Sequence, residues 1–466
     1  MFDLSTDLTI LLLICLLCAC VFEFINGFHD TANAVATVIY TNSLKPVTAV
    51  IWSGMWNFLG VLLGGTAVAM GIIKLLPSGV LTDQNLMHNV AMILSLLIAA
   101  IIWNLGTWYF GIPASSSHTL IGSILGVGIA YTLTGDGDLA TGVNWKKAGD
   151  IGLSLLISPL LGFLLTILMM WLFRMISKNP RLFNEPDRTR KPPVLVRALL
   201  ILTCTGVSFS HGSNDGQKGI GLVMLILIAI VPAHFALNHE TKIPDFRTDL
   251  AKVQAYYNNL DSNIIKGKDW KKIEEAKAEL LAIDTISAKY PDFSKVPLEE
   301  AQIFRTSVIL LSSVTEKVVI DKGYLKGEDA SSLKSAGKAL AASVDYSPRW
   351  VVLMISICLG LGTMIGWKRI VKTIGEKIGK EHLSYAQGAS AELVAASTIQ
   401  IATATGLPVS TTQVLSSGIA GSMVASNGFK NLQGGTVKNI LIAWLLTLPV
   451  TVILSGGTFL ILRSIL

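Results

Sequence analysis

Two short motifs, each present twice, hold the side chains able to do chemistry in this 466-residue chain. The first is Gly27-Phe28-His29-Asp30-Thr31-Ala32-Asn33-Ala34, which recurs as Gly212-Ser213-Asn214-Asp215-Gly216-Gln217-Lys218-Gly219 with the glycine and the aspartate at the same spacing. Both copies stand in long apolar stretches, where an ionised carboxylate is costly and marks an ion or substrate path. Asp30 and Asp215 are therefore assigned to a coupling cation, with Asn33 beside them. The second motif, Gly111-Ile112-Pro113-Ala114-Ser115-Ser116-Ser117-His118, recurs as Gly406-Leu407-Pro408-Val409-Ser410-Thr411-Thr412-Gln413. Proline starts a helix well because it lacks the N–H that would go unpaired there, and the hydroxyls that follow stand beside free backbone N–H groups at the positive helix end. Such an end is an anion cradle. Ser115, Ser116, Ser117, Ser410, Thr411 and Thr412 are expected to converge on a tetrahedral oxyanion.

An anion beside two carboxylates raises an electrostatic problem, since like unit charges ~4 Å apart repel by ~4 kcal/mol even at an effective dielectric of about 20. Cations must enter with the anion, which predicts symport with Na⁺, H⁺ or a divalent metal. Lys218 is the one base well inside an apolar segment, so a buried partner is expected for it, either Asp215 or the anion. Asn214 is placed with the anion as well. Glu392, in an otherwise apolar helix, is a third carboxylate for the coupling cation, and Asn57 is either a further cation ligand or a bridge between helices. His29, His118 and His211 stand where protons could be shuttled or hydrogen bonds made.

The elements that must position these groups are membrane helices. The chain is 51% hydrophobic and 15% charged, with a mean hydropathy of +0.58, and runs such as Leu8 to Ile25, Ile151 to Phe173 and Ile440 to Leu462 reach the ~20 residues that cross a ~30 Å hydrocarbon layer. From Glu240 to Arg349, 17 acids balance 17 bases, so the excess of six positive charges belongs to the apolar part. That excess gathers at segment ends and reads as topology rather than a nucleic-acid partner. Five cysteines lie inside apolar runs and suggest packing, with no disulfide framework, metal site or cofactor. No nucleophile, base and orienter stand at a recognisable spacing, so an enzyme is not expected. Met1 to Thr9 has two aspartates and no Lys or Arg, so the first apolar segment is expected to stay as a membrane helix.

The motifs come in the same order in each half, which reads as a duplication of the type built from inverted repeats. The expected fold is all-α, with five crossings per half: about 8–40, 47–74, 88–110, 113–131 and 150–173, then about 195–231, 349–366, 384–405, 408–425 and 436–462. An odd number per half inverts the second against the first. The expected divisions are a first membrane repeat at 1–175, a basic cytoplasmic linker at 176–194, the start of the second repeat at 195–232, a charged, soluble helical insertion at 233–348 and the rest of the second repeat at 349–466. A helix over 8–40 would be ~50 Å long, so breaks are expected at Asn26 to Asp30 and at Ser210 to Gly216, where glycine frees the backbone. The bases of the linker and of the Lys368 to Lys380 loop are expected in the cytoplasm. Both termini, the Asp136 and Asp138 loop and the insertion then fall outside.

These residues closely resemble the inorganic phosphate transporter (Pit) family, whose hallmark is a duplicated Gly-x-Asn-Asp-x-x-Asn-Ala signature with Gly-x-Pro-x-Ser-Ser/Thr-Ser/Thr later in each half. Asn26 to Tyr40, Ala100 to Gly122 and Phe209 to Met224 look like the bacterial low-affinity members. The resemblance implies a multi-pass protein of the bacterial inner membrane that moves inorganic phosphate with a cation, H⁺ favoured over Na⁺, and accepts metal-phosphate, with arsenate competing. A sulfate or other oxyanion permease and a Na⁺-coupled symporter are the alternatives, and a homo-oligomer is compatible with every feature read. The chain departs from the pattern at His29, Lys218, Gln413 and Asn57, the last standing where animal relatives have a glutamate. Lys218 in place of an asparagine is expected to substitute a fixed charge for one bound Na⁺.

Overall fold

A computed structural model describes residues 4–30, 32–76, 86–134, 142–186, 190–262, 264–265 and 267–466; the side chains of 32, 33 and 233 and the expected Asp136 and Asp138 loop lie outside the described residues. Helices make up nearly all of the secondary structure, and the one β contact among the described residues is an isolated bridge between Gly379 and Leu432. The chain forms two compact units, Leu4–Ile226 with Pro348–Leu466, and Leu227–Ser347.

In the first unit, the first half contributes α1 (Thr6–Asp30), α2 (Ala32–Tyr40), α3 (Pro46–Leu63), α4 (Ala67–Ile73), α5 (Leu86–Tyr109), α6 (Ser116–Leu133) and α7 (Trp145–Ile176). The long α8 (Val194–Ile230) follows. Six helical stretches among the described residues are long and apolar enough to cross a membrane, or seven if a pair bent by 63°, Arg349–Thr363 and Lys368–Glu376, is one span. The protein is a multi-pass membrane protein. Ten crossings are not reached on length and apolarity, because Ser116–Leu133, Tyr385–Ala404 and Thr411–Asn427 are rich in hydroxyls and glycine and bury most of their residues against protein.

The expected breaks need correction. Asn26 to Asp30 are helical within α1, and α8 runs unbroken through Ser210 to Gly216 for 37 residues. The signature glycines act as notches: a Cβ on Gly27 would lie 2.5 Å from Leu359 O, and one on Gly212 would lie 2.1 Å from Asn57 O. Small residues let membrane helices approach backbone to backbone. The break occurs instead in the partner helix, so the expected crossing 47–74 is two helices parted at Gly64 and Gly65, the latter with φ +80°. Backbone groups freed at such a break need partners. Gln217 of the second signature supplies both, donating to Gly64 O (2.7 Å) and accepting from Val68 N (2.7 Å).

The second half continues after the insertion with Arg349–Thr363, a turn containing Gly366 at φ +72°, and Lys368–Glu376. Trp108 Nε1 donates to Gly366 O at this break (2.9 Å). Then come Tyr385–Ala404, Thr411–Asn427 and Gly434–Ile465. Helices exchange neighbours between the halves: Ser116–Leu133 packs on Gly434–Ile465, and Thr411–Asn427 on Trp145–Ile176. Gly126 lies against Val452 and Gly162 against Val414, so close approach is again allowed by missing side chains.

The second unit is four main helices, Ile243–Asn258, Lys268–Lys289, Leu298–Val314 and Gly327–Ala341. Their apolar faces, spaced three and four residues apart, close on a core that includes Phe246, Phe293 and Phe304 with centroids 5.0–5.4 Å apart. The buried Arg305 donates to Ala236 O (3.0 Å) and Val344 O (2.7 Å), clamping the two ends of the unit together.

Candidate functional site

The two hydroxyl motifs adopt the same local geometry. Gly111 (φ +66°) and Gly406 (φ +68°) end helices in the left-handed conformation that glycine tolerates. Each end is sealed by the same pair of bonds: Gly111 N to Trp108 O and Ile112 N to Thr107 O, then Gly406 N to Thr403 O and Leu407 N to Ala402 O. The chain turns at once into the next helix, capped by Ser115 Oγ accepting from His118 N (3.2 Å) and by Ser410 Oγ accepting from Gln413 N (3.2 Å). The proline stands three residues before each helix rather than at its first turn. It precedes the cap and sets the extended entry, while the first helical residues, Ser116 and Ser117 or Thr411 and Thr412, have no carbonyl one turn back to receive their N–H groups. Both positive ends are buried in the first unit.

The signature aspartates face these ends. Asp30 Oδ2 accepts from Ser116 Oγ (3.1 Å) and Asp30 Oδ1 from Thr412 Oγ1 (2.5 Å), while Asp215 Oδ2 accepts from Thr411 Oγ1 (3.5 Å). Ser116 and Thr411 thus serve the aspartate of their own half, and the next residue reaches across. Thr412 bonds Asp30, and Ser117 accepts from Lys218 Nζ while donating to Val409 O (2.7 Å). Lys218 also bonds Asp215 Oδ1 (2.7 Å) and Val409 O (3.0 Å), so its buried charge has Asp215 as the ionic partner. Between the carboxylates stands His211, its Nε2 3.8 Å from Asp30 Oδ2 and 3.6 Å from Asp215 Oδ2. Asn57 donates Nδ2 to Thr363 Oγ1 (3.1 Å), so its Oδ1 must accept from His211 Nδ1 (2.7 Å). This leaves His211 Nε2 aimed at two carboxylates without a hydrogen bond of its own. Asp30, His211 and Asp215 form the one group among the described residues able to hold a metal ion, with ligand atoms within 4.8 Å of one another.

The other expected site residues take different places. Asn57 bridges helices, the second of the two roles open to it, bonding Thr363 on one side and orienting His211 on the other. Asn214 spends its amide on Thr403 Oγ1 (2.9 Å), Leu407 O (3.3 Å) and Val409 N (3.3 Å), fixing α8 to the second hydroxyl turn. Glu392 accepts from Thr203 Oγ1 (2.6 Å) and makes no hydrogen bond to the cluster. Asn33 stands on α2 at a position whose side chain is outside the described residues. His29 bonds Asp30 Oδ1 (3.0 Å) and Thr107 Oγ1 (3.1 Å), and His118 turns back on Ser115 Oγ (2.7 Å). Two residues were not anticipated. Gln217 is the cap of the α3–α4 break, and Glu23 is a fully buried carboxylate two turns before Asp30. A lone acid near the end of an apolar run was the available signal for Glu23.

The profile of the phosphate transporter family matches residues 26–455. The chain is 41% identical to the low-affinity inorganic phosphate transporter PitA of Escherichia coli (strain K12), over 98% of this chain and 97% of that one. It is 42% identical to the low-affinity inorganic phosphate transporter of Buchnera aphidicola subsp. Acyrthosiphon pisum (strain APS), over 93% of each. A probable low-affinity inorganic phosphate transporter of Bacillus subtilis (strain 168) is 30% identical over 99% of both chains. Among solved structures, one described as the sodium-dependent phosphate transporter shares the fold with a TM-score of 0.56 and 22% identity, over 98% of this chain and 100% of that one.

Proposed function

This chain belongs to the phosphate transporter family, and we propose that it imports inorganic phosphate across the bacterial inner membrane by symport with a cation, H⁺ in preference to Na⁺. The observation that carries the reading is that Asp30 and Asp215, from the two signatures, meet in one buried place with Ser116, Ser117, Thr411 and Thr412 from both helix N-termini. Ser116, Thr411 and Thr412 donate to those carboxylates, and Ser117 donates to Val409 O. Cations that neutralise Asp30 and Asp215 release them to turn on a phosphate, which the helix ends and Lys218 attract. The two events are therefore coupled.

Asp30, Asp215 and His211 form the cation position, with Asn57 setting the His211 tautomer so that Nε2 keeps a lone pair for a cation or takes a proton. Hard carboxylate oxygens with an imidazole suit a divalent metal as well as a proton, so metal-phosphate is a substrate, and arsenate competes by shape and charge. Lys218 contributes a fixed positive charge where a second cation would otherwise be needed. The two halves act as inverted repeats around this position, and the insertion stands outside.

Labelled phosphate uptake into proteoliposomes, under an imposed proton gradient and then a sodium gradient, tests the reading. Uptake driven by protons, inhibited by arsenate and indifferent to sulfate is expected. Uptake driven by sodium alone, or competition by sulfate, overturns the proton or the phosphate assignment respectively.

A further inference from the structure

Glu23 is fully buried on α1, seven residues before Asp30 and on the same helical face. Its Oε1 accepts from Asn26 Nδ2 (3.2 Å), and its Oε2 has no hydrogen-bond partner among the described residues. A buried carboxylate oxygen left without a donor is expensive as an anion and cheap as the neutral acid, because protonation removes the charge that water no longer solvates. The charged groups that act on it are Asp215 and Lys218 from α8 and Asp30 from its own helix. Arg349–Thr363, packed along α1, has no Asp, Glu or Lys and carries Arg349 only at its first residue, and α5, also packed on α1, has no Asp, Glu, Lys or Arg. Lys218 bonds Asp215, Ser117 and Val409 rather than Glu23.

The second signature is shaped around this carboxyl. Where the family pattern ends in Asn-Ala, this chain has Lys218-Gly219. A Cβ on Gly219 would lie 2.4 Å from Glu23 Oε2 and 2.8 Å from its Cδ, so an alanine would collide with the group. Of the two departures, Gly219 adjoins this acid, which lies outside either signature, and Lys218 acts on it through its charge. Among the described residues, Glu23 Oε2 and Asn26 Oδ1 are the two buried oxygens here without a partner, too few to replace the hydration shell of a metal ion, whereas a proton needs one.

We infer that Glu23 is the group that carries the coupling proton, seated against Gly219 and sensing the Asp30–Asp215–Lys218 cluster next to it. The inference rests on the proton-symport reading and deepens it: the Asp30–His211–Asp215 position holds the cation that neutralises the site, and Glu23 holds the proton that the gradient drives. A proton from water on the entry side bonds to Glu23 Oε2, giving the neutral acid, and leaves to water on the exit side, restoring the carboxylate. Charge changes in the cluster on phosphate binding alter the affinity of Glu23 for that proton, and by linkage its protonation alters phosphate binding by the same factor.

The test compares full-length wild type with Glu23→Gln, a neutral mimic of the protonated acid, in proteoliposomes. Two readouts are taken: labelled phosphate exchange at equal phosphate on both sides, and accumulation driven by an inward proton gradient, followed with an internal pH dye. Glu23→Gln is expected to keep exchange within about twofold while losing gradient-driven accumulation and the accompanying acidification at least tenfold. If Glu23→Gln accumulates phosphate under a proton gradient as the wild type does, the assignment is overturned and proton symport stands. A wild type that ignores protons and follows sodium overturns both. Should Glu23→Gln lose exchange as well, Glu23→Asp decides, because recovery of both activities by a shorter titratable side chain supports a proton carrier, and failure of both makes Glu23 a packing group.

Discussion

Replacing Lys218 by asparagine, the residue its position holds in the first signature, removes a fixed charge from the proposed phosphate site without removing bulk polarity. The ammonium lies 2.7 Å from Asp215 Oδ1 and bridges it to Ser117 and Val409 of the two hydroxyl turns. A unit charge ~4 Å from another is worth ~4 kcal/mol at an effective dielectric of about 20, and each 1.4 kcal/mol is about tenfold in affinity. Phosphate binding to Lys218→Asn should therefore weaken by about a hundred- to a thousandfold in sodium-free medium, since Asp215 then repels the anion. Added sodium should recover most of the loss by taking the place of the ammonium. The assay is labelled phosphate uptake over a phosphate series, with choline and with sodium, after confirming that the variant elutes as a folded species. Uptake by Lys218→Asn with the wild-type cation requirement and phosphate KM would refute the reasoning, because Lys218 would then do no electrostatic work at the site.

Three further outcomes follow from the geometry. Gln217→Leu leaves Gly64 O and Val68 N without their shared partner, and at roughly 1–3 kcal/mol for each buried group left unpaired the thermal midpoint in detergent should fall by several degrees. Gly212→Ala places a Cβ 2.1 Å from Asn57 O, an overpacking of about 1–3 kcal/mol; as Asn57 also holds His211, phosphate uptake by the folded fraction should fall along with the stability, and a variant that loses stability alone would separate the two roles. In the insertion, Lys322 and Tyr324 donate to Asp269 and hold its carboxyl below the ordinary aspartate range. A depressed folded-state value gives stability that is present above the unfolded pKa of about 3.9 and lost as pH falls further. Hydrogen exchange over 268–289 in the full-length chain should rise on acidification below that range, and Lys322→Met should flatten the rise.

Much of the site was legible because it is written twice. Asp30 with Asp215, and Ser116-Ser117 with Thr411-Thr412, were found by self-comparison, and the structure brings all six together. A buried ammonium needs a counter-charge, which left Asp215 and the anion both open as the partner of Lys218, and the structure pairs it with Asp215. The helix breaks were misplaced for a physical reason: Gly27 and Gly212 look locally like points of weakness, but their missing side chains admit the backbones of Leu359 to Thr363 and of Asn57. Packing outweighed local propensity there, and the real break at Gly64 and Gly65 is stabilised by Gln217 from 150 residues away, a pairing no local pattern reveals. Glu23 escaped because it stands ahead of the Gly27 to Ala34 motif, outside both repeated patterns. The exchange of helix partners between the halves, which seats Thr412 on Asp30 and Ser117 on Lys218, depends on three-dimensional packing and left no trace in residue order.

The most direct measurement is an experimental density map of the full-length protein in lipid with phosphate. Tetrahedral density within hydrogen-bond reach of Ser116, Ser117, Thr411 and Thr412, beside Lys218 and with a positive partner between Asp30 and Asp215, is the expected result. Phosphate density away from both helix N-termini, with those hydroxyls still turned on the carboxylates, would contradict the account.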